Sequence, residues 1–390
     1  MAGNGIRVIA LGNYRADRQV SMKRFADLMV DSLSERGITA EALRPEAHLG
    51  RLATQKGEVA KWLGYVDKFI LFPRRLRKFI ARMPPQERNE TVFHVCDHSN
   101  SPYVAQLTGV AHLVTCHDLM AVKLALGTLE GPPVRWTGRR LQAMIRRGLE
   151  RAANIVCDSD NTRRDLNTSC EVRCANIATI RLQLNYPYGP LDGETARHRI
   201  GALVPDDGRP MLLHVGNNSW YKNRDGILRI CRRLKERSGR PMPRLVIVGA
   251  PMTAAQRQYL AGNDLEHDVF WLAECSTLEL EGLYNMASVF LFPSKYEGFG
   301  WPPIEAQACG CPVVASYGGA LAEVLEDSAL TADWSDEQGL SEQVRRILSE
   351  KALAGDLRAA GFKNVVRFRA PKMIDDYIQF YKVILEAKRT

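Results

Sequence analysis

At 390 residues, with 45% hydrophobic and 25% charged residues, the chain is large enough for two separate cores and has the composition of an ordinary globular protein. It contains no apolar run of the roughly 18 residues needed to cross a membrane, and the Ile6–Leu11 stretch is too short and too weakly charged in front to act as a signal peptide. A cytoplasmic protein is expected, and nine cysteines without a Cys-x-x-Cys pair fit buried thiols in a reducing compartment better than disulfides or a zinc site.

Apolar runs alternate with helical patterns, which argues for parallel sheets covered by helices. In the first half, strands are expected at Ile6–Gly12, Thr39–Leu43, Thr91–Val95, His112–Thr115, Asn154–Cys157 and Ile177–Leu182, with a helix near Ser21–Arg36 after the first. Between them lie two basic, aromatic-rich segments. Residues 61–88 hold eight basic side chains against Asp67 and Glu87, and residues 135–151 hold six arginines against Glu150. The formal charge of +9 is concentrated there. Both segments suit amphipathic helices on an anionic membrane surface, with ordinary solvated helices as the alternative. No nucleic-acid-binding module accompanies the charge.

The stretch from Gly193 to Arg209, rich in Gly, Asp and Arg, restarts the pattern. Strands are expected at Met211–Val215, Arg244–Val248, Val269–Leu272, Val289–Phe292, Pro312–Ala315 and Ala329–Thr331. A last helix, about Pro371–Ala387, carries a broad apolar face and is expected to pack back on the first domain. The expected division is 1–190 with 371–390, and 191–370. Two doubly wound domains place ligands at the carboxyl ends of their strands, so a cleft between them is the expected site.

Three pairs of glutamates stand eight apart: Glu266/Glu274, Glu297/Glu305 and Glu342/Glu350. Only the second encloses a glycine loop, Gly298 and Gly300, and a proline-opened helix start at Pro302 and Pro303. Such a helix start offers unpaired N–H groups and partial positive charge to a phosphate. About 75 residues earlier, Met211–Val215 leads through Gly216 and Asn217 to a Lys222-Asn223 pair, where a lysine can neutralise a diphosphate. In the first half, His117 and Asp118 end a strand, as do Asp97 and His98. Ser159–Thr162 is expected to act chiefly as a helix cap.

From Phe292 to Ser316 the sequence Phe-Pro-Ser-x2-Glu-Gly-Phe-Gly-x-Pro-x2-Glu-Ala-x-Ala-Cys-Gly-x-Pro-Val-Val-Ala-Ser resembles the donor-binding signature of family 4 retaining glycosyltransferases, continued by Gly318, Gly319 and Glu323. The resemblance implies an α/β chain of GT-B fold, with two Rossmann-like doubly wound domains facing a cleft. It implies transfer of a sugar, with retention, from a nucleotide-diphosphate-sugar to a glycan or lipid-linked acceptor, as in polysaccharide biosynthesis. By that resemblance Glu297 binds donor-sugar hydroxyls, Gly298, Phe299 and Gly300 present N–H groups to the diphosphate, and Glu305 accepts the ribose hydroxyls. Lys222 binds the diphosphate, with Gly216, Asn217 and Gly12 in the donor-binding set, and His117 sits at the reaction centre, accepting or orienting a hydroxyl. No cofactor is implied, since the nucleotide-sugar is a substrate, and there is no Asp-x-Asp metal motif.

Two departures from the family pattern stand out. Asn217 occupies the place of a frequent arginine, with Arg224 as a candidate replacement, and the loop Leu11–Gln19 lacks the usual Gly-Gly pair. A GT-B sugar-nucleotide epimerase or hydrolase, and a non-catalytic membrane-surface protein, remain as alternatives.

Overall fold

The computed structural model describes residues 5–17, 20–50, 58–173, 176–205, 207–237, 242–369 and 371–389. Arg18, Gln19, Cys174 and the side chain of Lys61 lie outside the described residues. The chain divides into two compact units, Met1–Asn185 with Ala370–Thr390, and Tyr186–Arg369.

In the first unit the strands are β1 (Arg7–Leu11), β2 (Thr39–Leu43), β3 (Thr91–Val95), β4 (Ala111–Cys116), β5 (Asn154–Cys157) and β6 (Asn176–Thr179). They form one parallel sheet in the order β2-β1-β3-β4-β5-β6. Every residue of β3, β4 and β5 is buried, as expected of strands covered by helices on both faces. Their side chains join Phe72, Leu76 and Ile80 of the Phe72–Arg82 helix and Ile145 and Leu149 of the Trp136–Glu150 helix in one core.

The Lys372–Arg389 helix belongs to this unit and packs on β3, β4 and the Val20–Glu35 helix. Met373, Ile374, Tyr377, Ile378, Tyr381, Ile384 and Leu385 form its buried face. A buried polar chain fixes its register. His94 on β3 bonds the Tyr381 hydroxyl (2.8 Å) through Nδ1 and Thr115 Oγ1 on β4 (2.7 Å) through Nε2, and Thr115 meets the Tyr377 hydroxyl at 2.9 Å. Burial, with the nearby His117, holds His94 neutral by lowering its pKa to about 3.

The second unit contains β7 (Met211–Val215), β8 (Arg244–Val248), β9 (Val269–Leu272), β10 (Val289–Phe292), β11 (Val313–Ser316) and β12 (Leu330–Ala332). Their parallel order is β12-β11-β10-β7-β8-β9, the 3-2-1-4-5-6 arrangement of a dinucleotide-binding fold. Its switch point lies between β7 and β10, and that of the first sheet between β1 and β3. At these points the strand order reverses, and doubly wound sheets bind their ligands outside the carboxyl ends of the strands at such points.

Candidate functional site

Lys222 and Glu297 come from opposite sides of the second unit's switch point. Lys222 follows β7 on a single helical turn, Trp220–Lys222, and Glu297 follows β10. The lysine Nζ lies 2.8 Å from Glu297 Oε1, with the two residues 9% and 7% exposed. The turn is tied to the β10 loop by further bonds: Lys295 N–H donates to the Tyr221 carbonyl (2.7 Å), and Asn223 Nδ2 donates to the Pro293 carbonyl (3.1 Å). Asn223 also donates to the Trp334 carbonyl and adopts a left-handed backbone, φ +53°, that asparagine tolerates better than most residues. Lys222 Nζ sits 4.7 Å from the centre of the Phe292 ring.

Gly216 leaves room for that lysine, since a Cβ there would lie 3.3 Å from Lys222 Cδ. Asn217 is exposed and accepts from the Ser219 N–H, shaping the turn. Arg224 is not a free replacement for the missing arginine. Its guanidinium is buried and donates to the carbonyls of Gly216 and Ala250, holding the β7 and β8 loops together. Burial lowers its pKa to about 10, so it keeps its charge at neutral pH.

After Glu297 the chain passes through Gly298 and Phe299 to Gly300, whose φ of +101° turns it into the Trp301–Ala308 helix. Phe299 is buried with its ring edge-on to Phe368. A Cβ on Gly300 would lie 2.7 Å from Leu321 Cδ2. Gly318 and Gly319 press on the same segment: Cβ atoms there would fall 2.4 Å from the Lys295 carbonyl oxygen and 2.2 Å from that of Glu297. Bulkier residues would displace the carboxylate-bearing loop. Glu305, on the helix, is 5% exposed and accepts from the Tyr284 hydroxyl at 2.8 Å. Burial and the Glu305 charge push the Tyr284 pKa well up, so it remains a donor. The other glutamate pairs form no such arrangement. Glu266 and Glu274 are exposed beyond helix ends, and Glu342 and Glu350 are paired with Arg345 and Arg346.

In the first unit Asn13, just past β1, donates to Asp97, just past β3, at 2.5 Å across the switch point. Gly12 precedes it, and a Cβ there would meet Arg44 Nε at 2.6 Å. His117 follows β4 and is 4% exposed. Its Nδ1 lies 3.0 Å from Asp158 Oδ2 and its Nε2 2.9 Å from the Cys96 carbonyl. Both partners are acceptors, so both ring nitrogens donate and the ring is an imidazolium. Burial opposes that charge, but the hydrogen bond and charge of Asp158, with Asp97 adding, raise its pKa to about 9. Burial raises Asp158 to about 6, leaving it ionised at neutral pH. In this arrangement both ring nitrogens of His117 are engaged as donors. Ser159 caps the Asp160–Ser169 helix through the Thr162 N–H.

Two of these partners carry no motif of their own. Tyr284 lies within a plain helix, 21 residues before Glu305, and no local spacing marks it. Asp158 directly follows β5, where the strand-end rule would have found it.

Residues 199–364 match the family described as Glycosyl transferases group 1. A curated relative, D-inositol 3-phosphate glycosyltransferase 1 of Catenulispora acidiphila, is 27% identical over 83% of this chain and 79% of its own. The chain is a glycosyltransferase. Solved structures agree on the fold. Sucrose-phosphate synthase of Thermosynechococcus elongatus superposes with a TM-score of 0.76 at 19% identity, over 98% of this chain and 100% of that one. Anabaena HepE, solved with UDP and glucose, gives 0.71 at 13% identity over 97% and 100%. This glycosyltransferase thus has the GT-B fold, each unit carrying its own six-stranded parallel sheet. No helix among the described residues is long and apolar enough to cross a membrane.

Proposed function

We propose that this glycosyltransferase takes its sugar from a nucleotide diphosphate and transfers it, with retention, to a hydroxyl of a glycan or lipid-linked acceptor in polysaccharide biosynthesis. The observation that carries the reading is the 2.8 Å contact of Lys222 with Glu297, which joins segments 75 residues apart at the switch point. A diphosphate at the Trp301–Ala308 helix start would meet the N–H groups of Gly298 to Gly300, the helix dipole and the Lys222 ammonium. The sugar would then lie against the Glu297 carboxylate, and the ribose hydroxyls against Glu305, which Tyr284 orients.

In the step itself the bond from the anomeric carbon to the phosphate oxygen breaks, and the acceptor oxygen bonds that carbon on the same face. The acceptor proton passes to the departing phosphate, and a nucleoside diphosphate is released. Negative charge grows on that phosphate in the transition state, where a fixed lysine and helix start stabilise it without reorganisation. The HepE complex with UDP and glucose supports a nucleotide-sugar donor by likeness of fold.

A thermal-shift screen with UDP-, GDP- and ADP-sugars identifies the donor. NMR of the product then reports the anomeric configuration, and assays with and without acceptor separate transfer from epimerisation or hydrolysis. Lys222→Ala and Glu305→Ala are expected to weaken nucleotide binding. Full transfer activity in both variants would sink the assignments, and an inverted anomeric centre would sink retention. Peripheral placement on the cytoplasmic face of a membrane belongs to the same reading and rests on the two basic segments.

A further inference from the structure

The two basic segments, well separated in sequence, meet at one cavity of the first unit. It measures about 310 Å³ and lies between the turn at Asp67–Leu71, the His98–Gln106 turn and the Trp136–Glu150 helix. Its apolar lining comes from Phe69, Pro73, Pro102, Ala105 and Met144. Arg147 and Arg151 complete the wall, one and two helical turns beyond Met144, both exposed and neither with an acidic partner among the described residues. Arg77, next along the Phe69–Pro73 row, donates to Gln106 of the cavity wall at 2.9 Å.

The surroundings share this pairing of apolar surface and unmatched cation. Trp62, Ile70 and Trp136 are 56%, 43% and 65% exposed on the flanking helices. Arg74, Lys78 and Arg82 run along the exposed side of the Phe72–Arg82 helix, also without acidic partners among the described residues, while Phe72, Leu76 and Ile80 face the core. A solvated helix needs cations but not exposed tryptophans. A protein partner would need acidic and apolar groups in this same pattern, whereas an anionic bilayer presents both everywhere.

We propose that the cavity seats one anionic phospholipid of a membrane surface, with acyl chain against Phe69, Pro102 and Met144 and phosphate on the Arg147 and Arg151 guanidiniums. The proposal rests on the peripheral-membrane reading and deepens it from a charged face to a discrete site. Planar guanidiniums suit phosphate because they donate two hydrogen bonds at once.

Flotation of the full chain with phosphatidylcholine vesicles, with and without phosphatidylglycerol, provides the test. Four proteins are compared: wild type, Arg147→Gln/Arg151→Gln, Arg74→Gln/Lys78→Gln, and Ala105→Phe, which fills the cavity without changing charge. At roughly fivefold per lost cation, either double variant loses about 30-fold if charge alone acts. A seated lipid predicts a greater loss for Arg147→Gln/Arg151→Gln than for the control double, and a loss for Ala105→Phe, all with wild-type affinity for nucleotide. Equal losses in the two doubles with Ala105→Phe unaffected would overturn the site but keep membrane binding. No flotation of wild type, or its abolition by competing RNA at equal charge, would overturn both.

Discussion

Replacing Gly319 by alanine tests whether the loop after β11 sets the position of Glu297. Two effects add. Gly319 has φ +66°, a left-handed conformation that costs a residue with a Cβ about 1–2 kcal/mol. The new Cβ would also fall 2.2 Å from the Glu297 carbonyl oxygen and 2.7 Å from its nitrogen. Relaxing that contact needs a shift of about 1 Å, and overpacking of this kind costs about 1–3 kcal/mol. The expected total is about 2–5 kcal/mol. Gly208→Ala isolates the first effect, because Gly208 lies in the same unit at φ +75° with nothing within 4 Å of its would-be Cβ. Thermal unfolding should rank wild type above Gly208→Ala above Gly319→Ala. Transfer should fall about 100-fold in Gly319→Ala, as for a 1 Å misplacement of a reacting group, and stay near wild type in Gly208→Ala. Equal melting temperatures and equal turnover in the two variants would refute the reasoning.

Lys222→Met leaves the Glu297 carboxylate buried without its cation and should destabilise the second unit by about 3–5 kcal/mol, while Lys222→Met/Glu297→Gln recovers most of the stability and none of the activity; unfolding curves and turnover check this. Tyr284→Phe removes the donor to Glu305, a hydrogen bond to a charged group worth about 1.5–3 kcal/mol, so calorimetry should show nucleotide affinity falling tenfold or more. Asn223→Gly keeps the left-handed backbone but loses both donors, and Asn223→Asp sets a carboxylate against two carbonyls; donor KM should rise in both, more for aspartate, with steady-state kinetics as the readout. The His117 pKa is raised from 6.5 to about 9, so its contribution to stability is complete below pH 6.5 and lost as pH rises through 9. The full shift corresponds to about 3 kcal/mol, and His117→Gln should flatten that limb of a stability-versus-pH curve.

Both sheets were legible in the sequence because buried parallel strands read as short apolar runs, and each expected strand is present within a few residues. The largest difference is at the end of the first sheet. The apolar run Ile177–Leu182 ends as a strand at Thr179, since Ile180 and Leu182 are buried beyond the last ladder pairing. The Glu297 loop was legible because glycines and a helix start are local. Tyr284 and Arg224 were not, because their roles depend on which side chain or carbonyl stands opposite in the folded unit. His117 shows the limit most sharply. A histidine at a strand end does not announce its partners, and Asp158 and the Cys96 carbonyl are supplied by two other strand ends.

The helix Lys372–Arg389 is made on the ribosome only after the 184 residues Tyr186–Arg369, although it completes the first unit. At cellular synthesis rates that gap is roughly ten to forty seconds. During it the sheet of the first unit lacks its cover over β3 and β4, and His94 lacks the Tyr381 hydroxyl that later satisfies Nδ1. The second unit can fold while the first still waits. The nascent chain therefore carries an apolar strip with a polar notch, a period in which a chaperone would have something to hold.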